Sequence, residues 1–173
     1  MRRLLGALIG TLAGLIGGIP AASAGSFVCT SAITSAQATA VMGVPAHVVT
    51  GGGGNDDCGI SARGFNHITI TGYVVKRSFF DDLRRKTRSG TVTSEGIRVV
   101  HTQRALQGFG GPAFSIDTKS FNPAAPGGSS ITRAVFVYRS GRMLRPTAAG
   151  PGPGKVASVA QLIQLARIAS RRL

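Results

Sequence analysis

The sequence predicts an α+β domain: a curved, mostly antiparallel sheet with helices packed on one face, stapled by one disulfide. Three observations carry that reading. Capped helical segments alternate with strand-like runs in the order helix, strands, helix, strands, helix. The runs alternate apolar with polar residues, the period of a half-buried strand. Neighbouring runs late in the chain meet at a short Gly turn, Ser140-Gly141, as antiparallel hairpins do. Antiparallel hairpins separated by helices argue α+β.

The chain opens with Arg2 and Arg3, runs apolar from Leu4 to Ile19, and then reaches Pro20 and Ala22-Ser23-Ala24. A basic start, an apolar stretch and small residues before the cut make a secretory signal, with cleavage expected after Ala24. The apolar run is 16 residues long and holds five glycines, short of the roughly 20 residues that a spanning helix needs. Ser26-Phe27-Val28 before Cys29 lacks the small residues of a lipid-attachment site, and no later run is long enough to span. Residues 25–173 are therefore read as one extracytoplasmic domain, secreted or held in the cell envelope.

Within it, Thr34 is placed as an N-cap with Gln37 three residues on, a capping box, and the helix is expected over 35–42 with its stop at Gly43. His47–Thr50 and Cys58–Ala62 read as strands around a Gly-rich tip, residues 51–57. His67–Val75 is the clearest strand, with Ile68, Ile70 and Val74 on one side and Thr69, Thr71 and Tyr73 on the other. Ser78 is expected to cap a second helix, with Asp81 and Asp82 in its first turn, Arg84, Arg85, Lys86 and Arg88 toward its negative end, and Gly90 as its stop. Strands are expected over 97–103, 114–117, 131–139 and 142–146, with loop over 120–130 and a Pro-Gly linker over 148–154. An amphipathic helix over 155–173, with Val159, Leu162, Ile163, Ala166 and Ala169 on one side, closes the chain.

Removing residues 1–24 leaves 18 Lys and Arg against 6 acids, a formal charge of +12. That balance bears on partners and solubility, not on fold. The two cysteines, Cys29 and Cys58, both lie in the exported part, where pairing is favoured over free thiols. Closing that loop is worth roughly 3–4 kcal/mol in the chain-entropy model. The rival, a two-thiol metal site, has no second pair or nearby His to complete it.

The run Cys29-Thr30-Ser31-Ala32-Ile33-Thr34, the helix ending Val41-Met42-Gly43 and the later Cys58 together form a pattern. It resembles a module of actinobacterial exported proteins and envelope lipoproteins, the family known as domain of unknown function 3558. Leu106-Gln107-Gly108-Phe109-Gly110-Gly111-Pro112-Ala113-Phe114 resembles that family's Pro-Gly-Leu-Gly-Asp-Ala-Ala turn. The chain departs from the pattern by one extra residue after Cys29, by Gly111 where the family has an acid, and by having no lipid-anchor cysteine. The resemblance spans residues 29–173; it implies the Cys29–Cys58 pair and the α+β fold, and it brings no catalytic residues.

The chemical candidates are thin. Gly108 to Ala113 spells Gly-x-Gly-x-x-Ala, but Pro112 and a strand-like Phe-Ser-Ile follow where a dinucleotide loop must open a helix. A turn is the better reading. Gly150 to Lys155 has the wrong spacing for a phosphate loop, with Val156 where Ser or Thr would bind magnesium. His67 and His101 could meet on one sheet face and bind a metal, but none of His47, His67 and His101 shows a ligand spacing, and surface or hydrogen-bonded histidines are the better reading. Asn55-Asp56-Asp57 reads as a polar tip before a calcium site. Asp81 and Asp82 diverge by about 100° on a helix. Neither a metal nor a cofactor is called for. With no Trp and only Tyr73 and Tyr138, specific nucleic-acid recognition is disfavoured as well.

Basic charge remains. Arg84, Arg85 and Arg88 on one helix and Arg139 and Arg142 on the late hairpin are the candidate anion-binding residues, expected to meet an anionic envelope polymer or membrane surface. The expected function is thus a non-enzymatic exported binding domain. The alternative is a small secreted hydrolase whose site is not recognisable from sequence. If the signal is cut as expected, the exported protein begins at Gly25; an intact mass retaining residues 1–24 refutes this.

Overall fold

The computed structural model describes residues 29–50, 57–123 and 128–172. The signal segment, its cleavage site, the side chain of Cys29 and residues 51–56 of the Gly-rich tip lie outside the described residues. Eight strands form one open sheet: β1 (Ala46–Thr50), β2 (Asp57–Ala62), β3 (Ile68–Val74), β4 (Gly90–Ser94), β5 (Ile97–Leu106), β6 (Ala113–Phe121), β7 (Ser129–Arg139) and β8 (Arg142–Gly150). Their order is β1-β2-β3-β8-β7-β6-β5-β4, and every neighbouring pair is antiparallel. The helices are a single turn, α1 (Cys29–Ala32), then α2 (Ser35–Met42), α3 (Arg77–Lys86) and α4 (Val159–Ser170). The α+β class holds.

Local chemistry explains the best-matched elements. Thr34 and Gln37 close the expected capping box, and Gly43 ends α2 in the left-handed conformation at φ 71°. Ser158 and Gln161 make a second box at the start of α4. Ser140 and Gly141 take φ values of 50° and 80°, the two positive values that a tight hairpin matched to strand twist demands. Gly111 has a different reason: a Cβ there would strike the carbonyl oxygen of Tyr138.

The expectation that the helices share one face is corrected. Along β7, Ile131, Val135 and Val137 enter a core with α2 and α4, while Ala134 and Phe136 enter a second core with Phe80 and Leu83 of α3. Successive residues of a strand point to opposite faces, so α3 lies across the sheet from α2 and α4. A strand apolar on both sides needs cover on both. On the α3 face, Phe80 meets Phe114 edge-on at 5.2 Å between centroids, and Phe114 stacks on Phe136 at 4.7 Å.

Several boundaries also move. Lys76, extended and without a side-chain cap bond, precedes α3, so Ser78 lies inside the helix and neither Asp81 nor Asp82 is in its first turn. The helix stops at Thr87, and Gly90 instead begins β4, a strand not anticipated. Strands β6 and β7 extend into the expected 120–130 loop, and β8 runs through Pro146 to Gly150 where a linker was expected. The last helix begins at Val159 rather than near Lys155.

Phe80 is fully buried and joins α3 to the aromatic stack. Phe80→Ala is expected to cost roughly 3–5 kcal/mol in urea denaturation; a loss below 1 kcal/mol would show that α3 does not depend on this contact.

Candidate functional site

The C-terminal half of α3 and the residues that follow it line a basic cleft. Phe80 and Leu83 bury its apolar side, which turns Arg84 and Arg85 outward, and the chain continues through Thr87 to Arg88. Asp81, Arg84, Arg85, Arg88 and Gln103 line an open cleft of about 350 Å³. Asp81 takes the Arg77 guanidinium at 2.9 Å, and Asp82 takes Arg85 at 3.1 Å and Lys86 at 2.9 Å. Among the described residues, Arg84 and Arg88 carry no carboxylate partner within ion-pair distance. The helix dipole favours cations at this end, but such exposed terms are modest, about 0.3–1 kcal/mol each.

Hydrogen bonds from Lys86 and then Arg85 hold the Asp82 carboxyl below its ordinary value, against a smaller opposing desolvation. A depressed acid stabilises the fold above its unfolded pKa. That contribution is lost as the pH falls through the lowered value.

Gln103, on β5, positions the cleft and was not singled out by sequence. Its side-chain amide donates to the Arg84 carbonyl at 2.9 Å, and to the Thr87 carbonyl and hydroxyl at 3.0 Å each. These bonds fasten the last turn of α3, whose carbonyls have no helical partner. A lone Gln on a strand carries no sequence signal of that role.

Arg139 and Arg142 lie elsewhere. They are direct cross-strand partners flanking the β7–β8 turn. Tyr138 and Met143, each next to one of them, face α3, so strand alternation directs Arg139 and Arg142 to the opposite side. The Arg139 guanidinium lies against Gly110, beside the buried Phe109. The fold therefore gathers Arg84, Arg85 and Arg88 at one cleft and sets Arg139 and Arg142 apart as a second basic pair. Arg133, on the same late hairpin, is neutralised by Asp117 at 3.3 Å and donates to the carbonyls of Val156 and Ala157.

The other candidates separate too. His101 bonds the Thr118 hydroxyl at 3.0 Å, while the His67 ring covers Gly59 on β2. Both are on the α3 face, but β2 and β5 are five strand spacings apart, about 24 Å. Gly108 and Gly110, at φ 83° and 69°, form a turn that leads into a strand, not a helix. No group of three or more His, Cys, Asp or Glu that could hold a metal occurs among the described residues, and none of the described helices is long and apolar enough to cross a membrane.

No family model, curated protein or solved structure matches the chain.

Gln103→Ala is expected to lower stability by roughly 1–2 kcal/mol, since it leaves the α3 carbonyls unpaired. It should also speed amide exchange at Thr87, which bonds the Leu83 carbonyl. Unchanged exchange there would remove Gln103 from this role.

Proposed function

We propose that the chain is an exported, non-enzymatic binding domain whose Arg84–Arg85–Arg88 cleft holds anionic groups of envelope material, phospholipid headgroups or acidic glycans. The observation that carries this reading is the cleft itself: three arginines line it, two of them without a carboxylate partner among the described residues. Arginine forks suit phosphate and carboxylate oxygens. The formal charge of +12 after signal removal adds long-range attraction. Arg139 and Arg142 form a second, independent contact on the other side of the sheet.

Export and the Cys29–Cys58 bond belong to the same proposal. Cys58 is fully buried and is not a free thiol, and α1, which begins at Cys29, packs beside β1 and β2. An oxidising compartment suits such a bond. Resemblance to the exported family named above supports the pairing and leaves activity open.

The test is co-sedimentation with phosphatidylcholine vesicles, with and without phosphatidylglycerol, and with polygalacturonate beads. Binding should require the anionic component and fall steeply as salt nears 1 M, where screening shortens to about 3 Å. Replacing Arg84, Arg85 and Arg88 together by Ser should weaken it by about tenfold or more. The helix should survive, because Phe79, Phe80 and Leu83 supply its packing. Binding that is absent, or indifferent to salt and to the triple variant, overturns the proposal.

A further inference from the structure

Strand β4 is an outer strand of the sheet, and every one of its residues is exposed. Val92, at its centre, is the most exposed large apolar side chain among the described residues. Edge strands are usually blunted by Pro, by charge or by a covering element. The opposite rim is treated in that way, because Thr39 and Ser35 of α2 take the amides of Ala46 and Val48. The sequence holds 20 Lys and Arg, yet none falls within Gly90–Ser94.

The hairpin geometry shows which backbone groups the rim offers. Glu95 and Gly96, at φ 51° and 79°, form a two-residue loop between Ser94 and Ile97. Across such a loop the flanking residues exchange both backbone hydrogen bonds, and bonded pairs recur at every second residue. Gly90, Val92 and Ser94 therefore bond inward to β5. The N–H and C=O groups of Thr91 and Thr93 point out from the rim.

Gly-Thr-Val-Thr-Ser reads nearly alike in both directions about Val92. Laid antiparallel on a second β4 about that residue, Thr91 of each copy faces Thr93 of the other. Their outward groups then bond one another, while Val92 meets its own counterpart. The flanking charges fit the same register. Arg88 precedes the strand and Glu95 follows it, and neither has an ion-pair partner among the described residues. Glu95 falls opposite Ser89 of the second copy, next to its Arg88. A parallel pairing would bring like charges together instead.

We propose that β4 pairs with β4 of a second copy of this chain, antiparallel about Val92, so that two sheets become one. A pairing of like with like uses the one β4 rim of each copy and closes at two chains. Five residues a side is less than a standard stable interface buries. The formal charge of +12 on each copy also opposes contact. The dimer is therefore weak, with a Kd on the order of 100 µM.

The inference does not rest on the arginine-cleft reading, although Arg88 belongs to both, and it is tested without any anionic ligand. Sedimentation equilibrium of the purified protein from about 10 µM to 1 mM should show a monomer passing to a dimer, around that Kd. Thr91→Pro removes an outward donor and spares the β4–β5 ladder, so it should abolish the dimer. Val92→Lys should weaken it by about tenfold or more, and at its exposed position it serves if Thr91→Pro does not fold. Glu95→Lys should weaken the dimer, and adding Arg88→Glu should restore it. The register has its own probe: facing Val92 Cα atoms lie about 4.5 Å apart, within disulfide reach. Val92→Cys should thus cross-link on mild oxidation, whereas Ser94→Cys, equally exposed, should not. A protein that stays monomeric at 1 mM overturns the proposal. So do growth beyond two chains, equal cross-linking at the two positions, or a dimer indifferent to both Val92→Lys and Glu95→Lys.

Discussion

The period-two alternation of β7 is the constraint on which the rest of the domain depends. Its neighbours Val135 and Phe136 are both fully or almost fully buried, yet in different cores. A slip of one residue would exchange the two sets and empty both cores of their fit. The Ser140-Gly141 turn fixes the register against β8, and β8 passes it on to β3. The same turn anchors the start of α3, since the Val75 amide donates to the Gly141 carbonyl. On the other side, Arg133 links Asp117 to the chain entering α4. One strand thus sets where both principal helices dock.

Much of the fold was legible because its signals are local. A Thr or Ser with Gln three residues on caps a helix by direct hydrogen bonds, whatever lies elsewhere. The alternation in β3 reads the same way. What could not be read depended on distant partners. Strand β4 is short, fully exposed and built of Gly, Thr, Val and Ser, so no burial pattern marks it. Its turn uses Glu95 at φ 51°, a residue that does not advertise a left-handed conformation. Pro146 suggested a strand end; β8 continues through it, paired with Ile70 of β3, while its ladder with β7 is interrupted at Arg145 and Pro146. The second core was hidden for a related reason: Phe79, Phe80 and Leu83 revealed an apolar side but not the face it covers.

The sites divide similarly. Sequence adjacency alone brings Arg84, Arg85 and Arg88 together: the first two lie in the last turn of α3 and the third follows its cap, Thr87. Whether Arg139 and Arg142 join them is a question of sheet side, and alternation answers it against a common face. Gln103 meets the end of α3 from β5, beside the β4 strand that no sequence pattern marked.

The two margins of the sheet are unequal. At β1, the outward amides of Ala46 and Val48 are taken by Thr39 and Ser35 of α2, each at 3.0 Å, so that margin is sealed by side-chain hydroxyls. At β4, every residue is exposed, no Pro or charge interrupts Gly90–Ser94, and Val92 is 58 % exposed. A ribbon that can be extended from one rim alone has no second attachment point through which to propagate. Of the two rims, the one at β4 is the one open to a further strand.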